Sequence, residues 1–87
     1  MMQGKVIINN PTGLQLRPAG ILCKKAMEFE SSITYGHKEG TANAKSVLSV
    51  LGSCVQCGDE IELICEGADE QQAYEELTRL IREGLGE

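Results

Sequence analysis

The chain has 87 residues, a net charge of −5 and 41 % apolar residues, enough for one domain with a core and too little for a second. Its three aromatics, Phe29, Tyr35 and Tyr74, leave that core to aliphatic side chains and alanine. Few aromatics and a negative charge speak against base stacking and against binding a nucleic-acid backbone. No apolar run follows the N-terminus or approaches the ~18 residues of a membrane span, so a cytoplasmic protein without membrane contact is expected.

The charge is unevenly spread. Residues 1–58 carry six basic and three acidic side chains, and residues 59–87 carry two basic and ten acidic ones. A basic face that meets an acidic protein partner is one consequence, and a solvated acidic helix face is the other.

Lys5 to Asn9 is short and β-branched and reads as a strand with Val6 and Ile8 inward, closed by the turn cluster Asn9-Asn10-Pro11-Thr12-Gly13. From Leu16 to Phe29, Ala19, Leu22, Cys23, Ala26 and Phe29 recur at helical spacing, with Pro18 in the first turn. Ser32–Tyr35 is a second strand with Ile33 and Tyr35 on one face. A hairpin turn over His37–Gly40 leads to a short third strand, Thr41–Asn43. Ser46 is placed to cap a brief helix, Val47–Leu51, stopped by Gly52.

Glu60–Glu66 alternates with Ile61, Leu63 and Cys65 inside. After Gly67-Ala68, Asp69 caps a last helix, with Gln72 in capping-box position. Ala73, Leu77, Leu80 and Ile81 form that helix's inner stripe, and Glu75, Arg79 and Glu83 its outer face. The order β-α-β-β-α-β-α predicts an α+β, two-layer open-faced sandwich over residues 1–87: a four-stranded antiparallel sheet covered on one face by helices.

Of the four cysteines, Cys23 and Cys65 fall on inward positions and read as small core hydrophobes. Cys54-Val55-Gln56-Cys57 has redox or zinc spacing, but a strand follows it, and only His37 remains as a further ligand. Two thiols in a loop are expected, with no metal, no cofactor and no catalytic residue.

Two segments carry chemistry. Gly13-Leu14-Gln15-Leu16-Arg17-Pro18-Ala19 opens the first helix, where unpaired N–H groups and the dipole favour an anion and Arg17 adds a fork of donors. An ordinary helix entry with a surface arginine has the same local pattern. In Asn43-Ala44-Lys45-Ser46-Val47-Leu48 the serine is an N-cap, and a phosphate there would meet the helix dipole favourably. Most N-cap serines serve only as caps.

Together, Gly13-Leu14-x-x-Arg17-Pro18-Ala19 and Asn43-Ala44-Lys45-Ser46 resemble the HPr family of the bacterial sugar phosphotransferase system, in register across essentially the whole chain. Gly67-Ala68-Asp69-Glu70 is similar to the family's Gly-Glu-Asp-Glu. The family pattern is Gly-Leu-His-x-Arg-Pro-Ala, whose histidine takes a phosphoryl group from enzyme I. Here Gln15 holds that place, leaving Gln15, Arg17 and Pro18 as a degenerate phosphocarrier site. A carboxamide nitrogen has its lone pair delocalised into the carbonyl and is no nucleophile, whereas an imidazole has one free near neutral pH.

Glutamine at this place also marks the Crh branch, the HPr-like proteins of catabolite repression. That resemblance implies phosphorylation of Ser46 by HPr kinase/phosphorylase, then binding to a CcpA-type repressor as corepressor, with enzyme I a partner without productive transfer. It implies a docking surface of Leu16, Arg17, Gly20, Ile21 and Lys24 on the first helix, and Lys45, Ser46, Val47 and Leu48 at the second site. Leu16 and Ile21 are apolar where the family commonly has polar or small residues. Such a protein is not an enzyme. An ordinary histidine phosphocarrier follows only if Gln15 is an engineered replacement, and a small-ligand-binding regulatory domain is a third class without a pocket signature in the sequence.

Overall fold

The computed structural model describes residues 1–87. Its elements run β1 (Met2–Ile7), α1 (Leu16–Ala26), β2 (Ser32–His37), β3 (Gly40–Asn43), α2 (Val47–Gly52), β4 (Glu60–Glu66) and α3 (Glu70–Arg82). The strands form one antiparallel sheet in the order β1-β4-β2-β3, with Val6 opposite Ile61, Ile33 opposite Cys65, Tyr35 opposite Leu63 and Ala42 opposite Tyr35.

Period-two alternation decides which face is covered. Val6, Ile33, Tyr35, Ala42, Ile61, Leu63 and Cys65 are buried with Ala19, Leu22 and Ala26 of α1, Val50 of α2, and Ala73, Leu77 and Ile81 of α3. Their strand neighbours Lys5, Ile7, Ser32 and Glu60 are exposed, so the sheet faces water on its other side. The expected open-faced sandwich is the observed one.

Several local readings change. The first strand begins earlier and ends at Ile7, because Ile8, though buried, bonds the loop after α2 through Asp59 O and Gly58 N instead of continuing the ladder. The first helix ends at Ala26, and Phe29 reaches the core from the turn beyond it. His37 closes β2 opposite Gly40, which shortens the hairpin turn to Lys38 and Glu39.

Cys23 is half-buried, its thiol facing Met27 Sδ at 4.0 Å, and is not a core residue. Leu80 is half-buried, and the inner stripe of α3 takes Thr78 in its place. That hydroxyl donates to Tyr74 O at 2.8 Å, which satisfies it inside. Glu75, Arg79 and Glu83 do face solvent.

Asp69 precedes α3 but makes no side-chain cap bond. Its carboxylate accepts from Ser31 Oγ at 2.5 Å, Ser31 N at 3.0 Å and Glu30 N at 2.9 Å, tying the α1–β2 turn to the β4–α3 turn. These bonds, Ser31 Oγ foremost, hold its carboxyl below the usual range. Glu70, not Gln72, reaches back to a backbone donor, Gly67 N, at 3.1 Å.

Candidate functional site

The mouth of α1 is shaped by Gly13. Its φ of +67° is left-handed, and a Cβ there would lie 2.5 Å from Val55 O, so only glycine lets the two loops touch. The contact is fastened by Leu14 N, which donates to Val55 O at 2.9 Å, and both Leu14 and Val55 are buried. Gln15 follows as the helix N-cap residue in extended conformation (φ −86°, ψ −172°). Its carbonyl accepts from Ala19 N at 2.8 Å, while its side chain is exposed and makes no cap bond.

Pro18 sits at the third helical position, buried, and has no N–H to offer. The first turn therefore presents two amides, those of Leu16 and Arg17, ahead of the Ala19 bond. No acidic residue stands in that turn. Gln15 and Leu16 join Leu14, Leu51, Cys54 and Val55 along a shallow groove of about 290 Å³, so the helix mouth and the loop after α2 form one surface.

Ser46 is the N-cap of α2, as its place before Val47 predicts, with Oγ accepting from Ser49 N at 3.2 Å. Ser49 Oγ returns a bond by accepting from Asn43 N at 2.9 Å. Ser46 is half-exposed, and beyond it Leu48 is 78 % exposed and Val47 37 %. Lys45 differs from a free surface cation: its Nζ donates to Phe29 O at 2.6 Å, closing the turn after α1, and the side chain is half-buried.

On α1, Arg17, Gly20 and Lys24 are exposed and Leu16 is 74 % exposed. Ile21 is half-buried, flanked by Lys24, Lys25, Glu28 and Leu80. Lys24 forms no ion pair, while its neighbour Lys25 is bound to Glu76 at 2.9 Å and Glu28 at 3.2 Å. Three exposed apolar side chains, Leu16, Val47 and Leu48, and two cations without an ion pair, Arg17 and Lys24, thus lie on the surface of the two segments.

The one histidine is occupied elsewhere. His37 Nε2 meets Asp59 Oδ2 at 2.9 Å and Nδ1 meets Ser53 O at 3.1 Å, bracing the end of β2 against the loop after α2. Gln56 N, and after it the imidazole, hold the Asp59 carboxyl below its ordinary range. His37 does not line the groove that holds Gln15. The thiols of Cys54 and Cys57 are exposed in the loop as expected, while burial pushes the Cys65 thiol up to about 11. No three metal-binding side chains gather anywhere, and no helix is long and apolar enough to cross a membrane.

The family described as "PTS HPr component phosphorylation site" matches over residues 2–83. The chain belongs to the HPr family. It is 37 % identical to the HPr-like protein Crh of Bacillus subtilis, over 95 % of this chain and 98 % of that one. It is 42 % identical to the phosphocarrier protein HPr of Lysinibacillus sphaericus, over 85 % of this chain and 84 % of that one. The fold superposes on HPr-C-His from Thermoanaerobacter tengcongensis with a TM-score of 0.96 at 34 % identity, covering 100 % and 98 % of the two chains.

Family membership accounts for the element order and the two motifs, which the sequence made legible. It missed three residues beside the helix mouth. Asn10, Thr12 and Glu87 are joined by hydrogen bonds that span 75 and 77 positions of the chain. The turn cluster marked the loop, and nothing local marked its partner.

Proposed function

We propose that this HPr-family protein is a regulator read through Ser46 and not a carrier of phosphohistidine. The observation that carries the proposal is Gln15: an exposed carboxamide stands at the helix mouth where a nucleophilic imidazole would be needed, and both ring nitrogens of His37 are engaged away from the groove. Ser46 has a half-exposed hydroxyl at the start of α2. A phosphate there adds about −1.5 to −2 charge beside free helix amides and next to the exposed Leu48. A partner gains a charge-assisted bond and an apolar contact from one patch.

In this reading HPr kinase/phosphorylase modifies Ser46, and a CcpA-type repressor binds the modified form in the cytoplasm. The similarity to the HPr-like protein Crh supports it. Lys45 contributes by holding the turn in place, since its ammonium is committed to Phe29 O. Leu16, Arg17, Gly20, Ile21 and Lys24 supply the α1 side of the docking surface, with Val47 and Leu48 on the α2 side.

Incubation with HPr kinase/phosphorylase and ATP, followed by mass mapping, is expected to place one phosphate on Ser46 and none on Ser31, Ser32, Ser49 or Ser53. Repressor binding should rise on modification and vanish in Ser46→Ala, while circular dichroism barely changes. Enzyme I with phosphoenolpyruvate should leave the protein unmodified, and Gln15→His should gain acid-labile phosphate. Uptake from enzyme I by the unaltered chain refutes the proposal.

A further inference from the structure

The side chain of His37 is 8 % exposed, and both of its ring nitrogens face oxygen. Nδ1 lies 3.1 Å from Ser53 O at the C-terminal end of α2, and Nε2 lies 2.9 Å from Asp59 Oδ2. A backbone carbonyl and an ionised carboxylate can only accept, so each contact needs an N–H from the ring. A neutral imidazole has one N–H and an imidazolium has two. Only the doubly protonated ring makes both bonds.

The two acceptors bracket the segment that shapes the helix mouth. Ser53 is the C-cap of α2, and its hydroxyl meets Tyr35 Oη at 2.8 Å and donates to Val50 O at 2.6 Å. Asp59 Oδ2 also accepts from Gln56 N at 3.0 Å, and Asp59 O accepts from Ile8 N at 2.9 Å. Between them Val55 O receives Leu14 N, and Cys54, Val55 and Gln56 line the groove with Gln15 and Leu16. Lys38, Glu39 and Cys54 share a recess of about 360 Å³ with the ring, and Lys38 adds to the field that keeps Asp59 ionised. β3, which pairs with His37 through Gly40, has no charged residue, and Lys5, Glu60 and Glu62 gather around Lys38 in a separate recess. Of these groups, Asp59 alone is hydrogen-bonded to the ring.

We infer that His37 is a proton-operated clamp on the groove at the helix mouth: protonated, it ties the end of α2 to β2, and neutral, it lets go of Ser53. The neutral ring keeps its one proton for Asp59, because a hydrogen bond to a carboxylate is stronger than one to a carbonyl. Nδ1 then turns a lone pair toward Ser53 O, and the two repel. Ser53 and Cys54 lose their brace on β2, and Val55, two residues on, carries the change to its bond with Leu14 N. The groove is therefore held most firmly when the ring is charged. The clamp acts within the chain before any partner binds, so it does not depend on the role proposed for Ser46.

The test follows the ring and the Leu14 amide together in the isotope-labelled protein, from about pH 5 to about pH 9. Ring nitrogen spectra should show two protonated nitrogens on the acid side and Nε2 alone protonated on the alkaline side. Across the same step, the protection of the Leu14 amide against hydrogen exchange, corrected for the intrinsic rate, should fall about fivefold, the ratio that one hydrogen bond commands. The Leu77 amide of α3 should keep its protection, which separates local release from loss of the whole fold. His37→Gln, which cannot titrate, should remove the step. A Leu14 amide that ignores the ring overturns the inference, as does an equal fall at Leu77 or a step that survives His37→Gln. So does a single, unchanged protonated nitrogen throughout, a result that needs no variant to fold.

Discussion

Gly13→Ala isolates what holds the helix mouth in place. The backbone there sits at φ +67°, a region that costs a residue with a Cβ roughly 1–2 kcal/mol. The new Cβ also starts 2.5 Å from Val55 O and 2.8 Å from Gln56 Cα, both backbone atoms that no rotamer change can move. The loop must retreat, which breaks the 2.9 Å bond from Leu14 N and leaves a buried amide unpaired, a further cost of about 1–3 kcal/mol. The total of roughly 2–5 kcal/mol is a large fraction of the stability of a small domain and should lower the melting temperature by about 8–40 °C. Gly58→Ala is the control. Its φ of +94° lies further from the left-handed minimum, but a Cβ there meets nothing within 4 Å, so it carries backbone strain alone. Thermal melts of both variants decide the matter. If Gly13→Ala loses no more than Gly58→Ala, the contact between the two loops does not constrain the site.

Acidification should weaken the tie between the α1–β2 and β4–α3 turns, because a carboxyl whose folded pKa is depressed stabilises above its unfolded value and loses that contribution as pH falls through the folded one. Urea midpoints at neutral pH and near pH 3 should therefore converge in Asp69→Asn relative to the unaltered protein. Lys45→Met should cost about 1–2 kcal/mol by freeing Phe29 O, read as a lower urea midpoint with an unchanged slope; no loss means that the lysine is only a surface charge. Chelator and reductant should each leave the melting temperature within about 1 °C, since Cys54 and Cys57 are exposed thiols outside any ligand cluster, and one tightly bound zinc per chain in metal analysis contradicts this.

The strands and helices were legible because their signal is periodic and short in range: Ile61, Leu63 and Cys65 alternate, and Leu77 and Ile81 stack four apart. The misread residues share a cause, competition from a distant partner. Asp69 has the composition of a cap, yet a serine 38 positions away takes its carboxylate. Lys45 has the composition of a solvated charge, yet a carbonyl 16 positions back takes its ammonium. The bonds from Asn10 and Thr12 to Glu87 were invisible for the same reason, and because positive φ at Leu85 reverses the chain where no turn motif announced it. Local propensity ranks partners within reach of a few residues, and tertiary contact overrides it at turns, where side chains meet unpaired backbone groups.

The retained frame around Gln15 is weak evidence for phosphoryl transfer, because most of it has work to do in folding. Gly13 is required by the Val55 contact whatever the helix mouth binds, and Pro18 is buried in the first turn of α1. Ser46 likewise caps α2 and would be favoured there without any kinase. Gln15 differs from all three: its side chain is exposed, makes no cap bond and packs into no core, so neither stability nor geometry dictates a carboxamide. Among these four residues, position 15 is thus the one whose identity reports chemistry more than architecture. A fold that would hold an imidazole there as readily holds glutamine instead. For that reason the Gln15→His exchange, which should alter phosphoryl acceptance while leaving the melting temperature in place, separates function from fold more cleanly than any change to Gly13, Pro18 or Ser46.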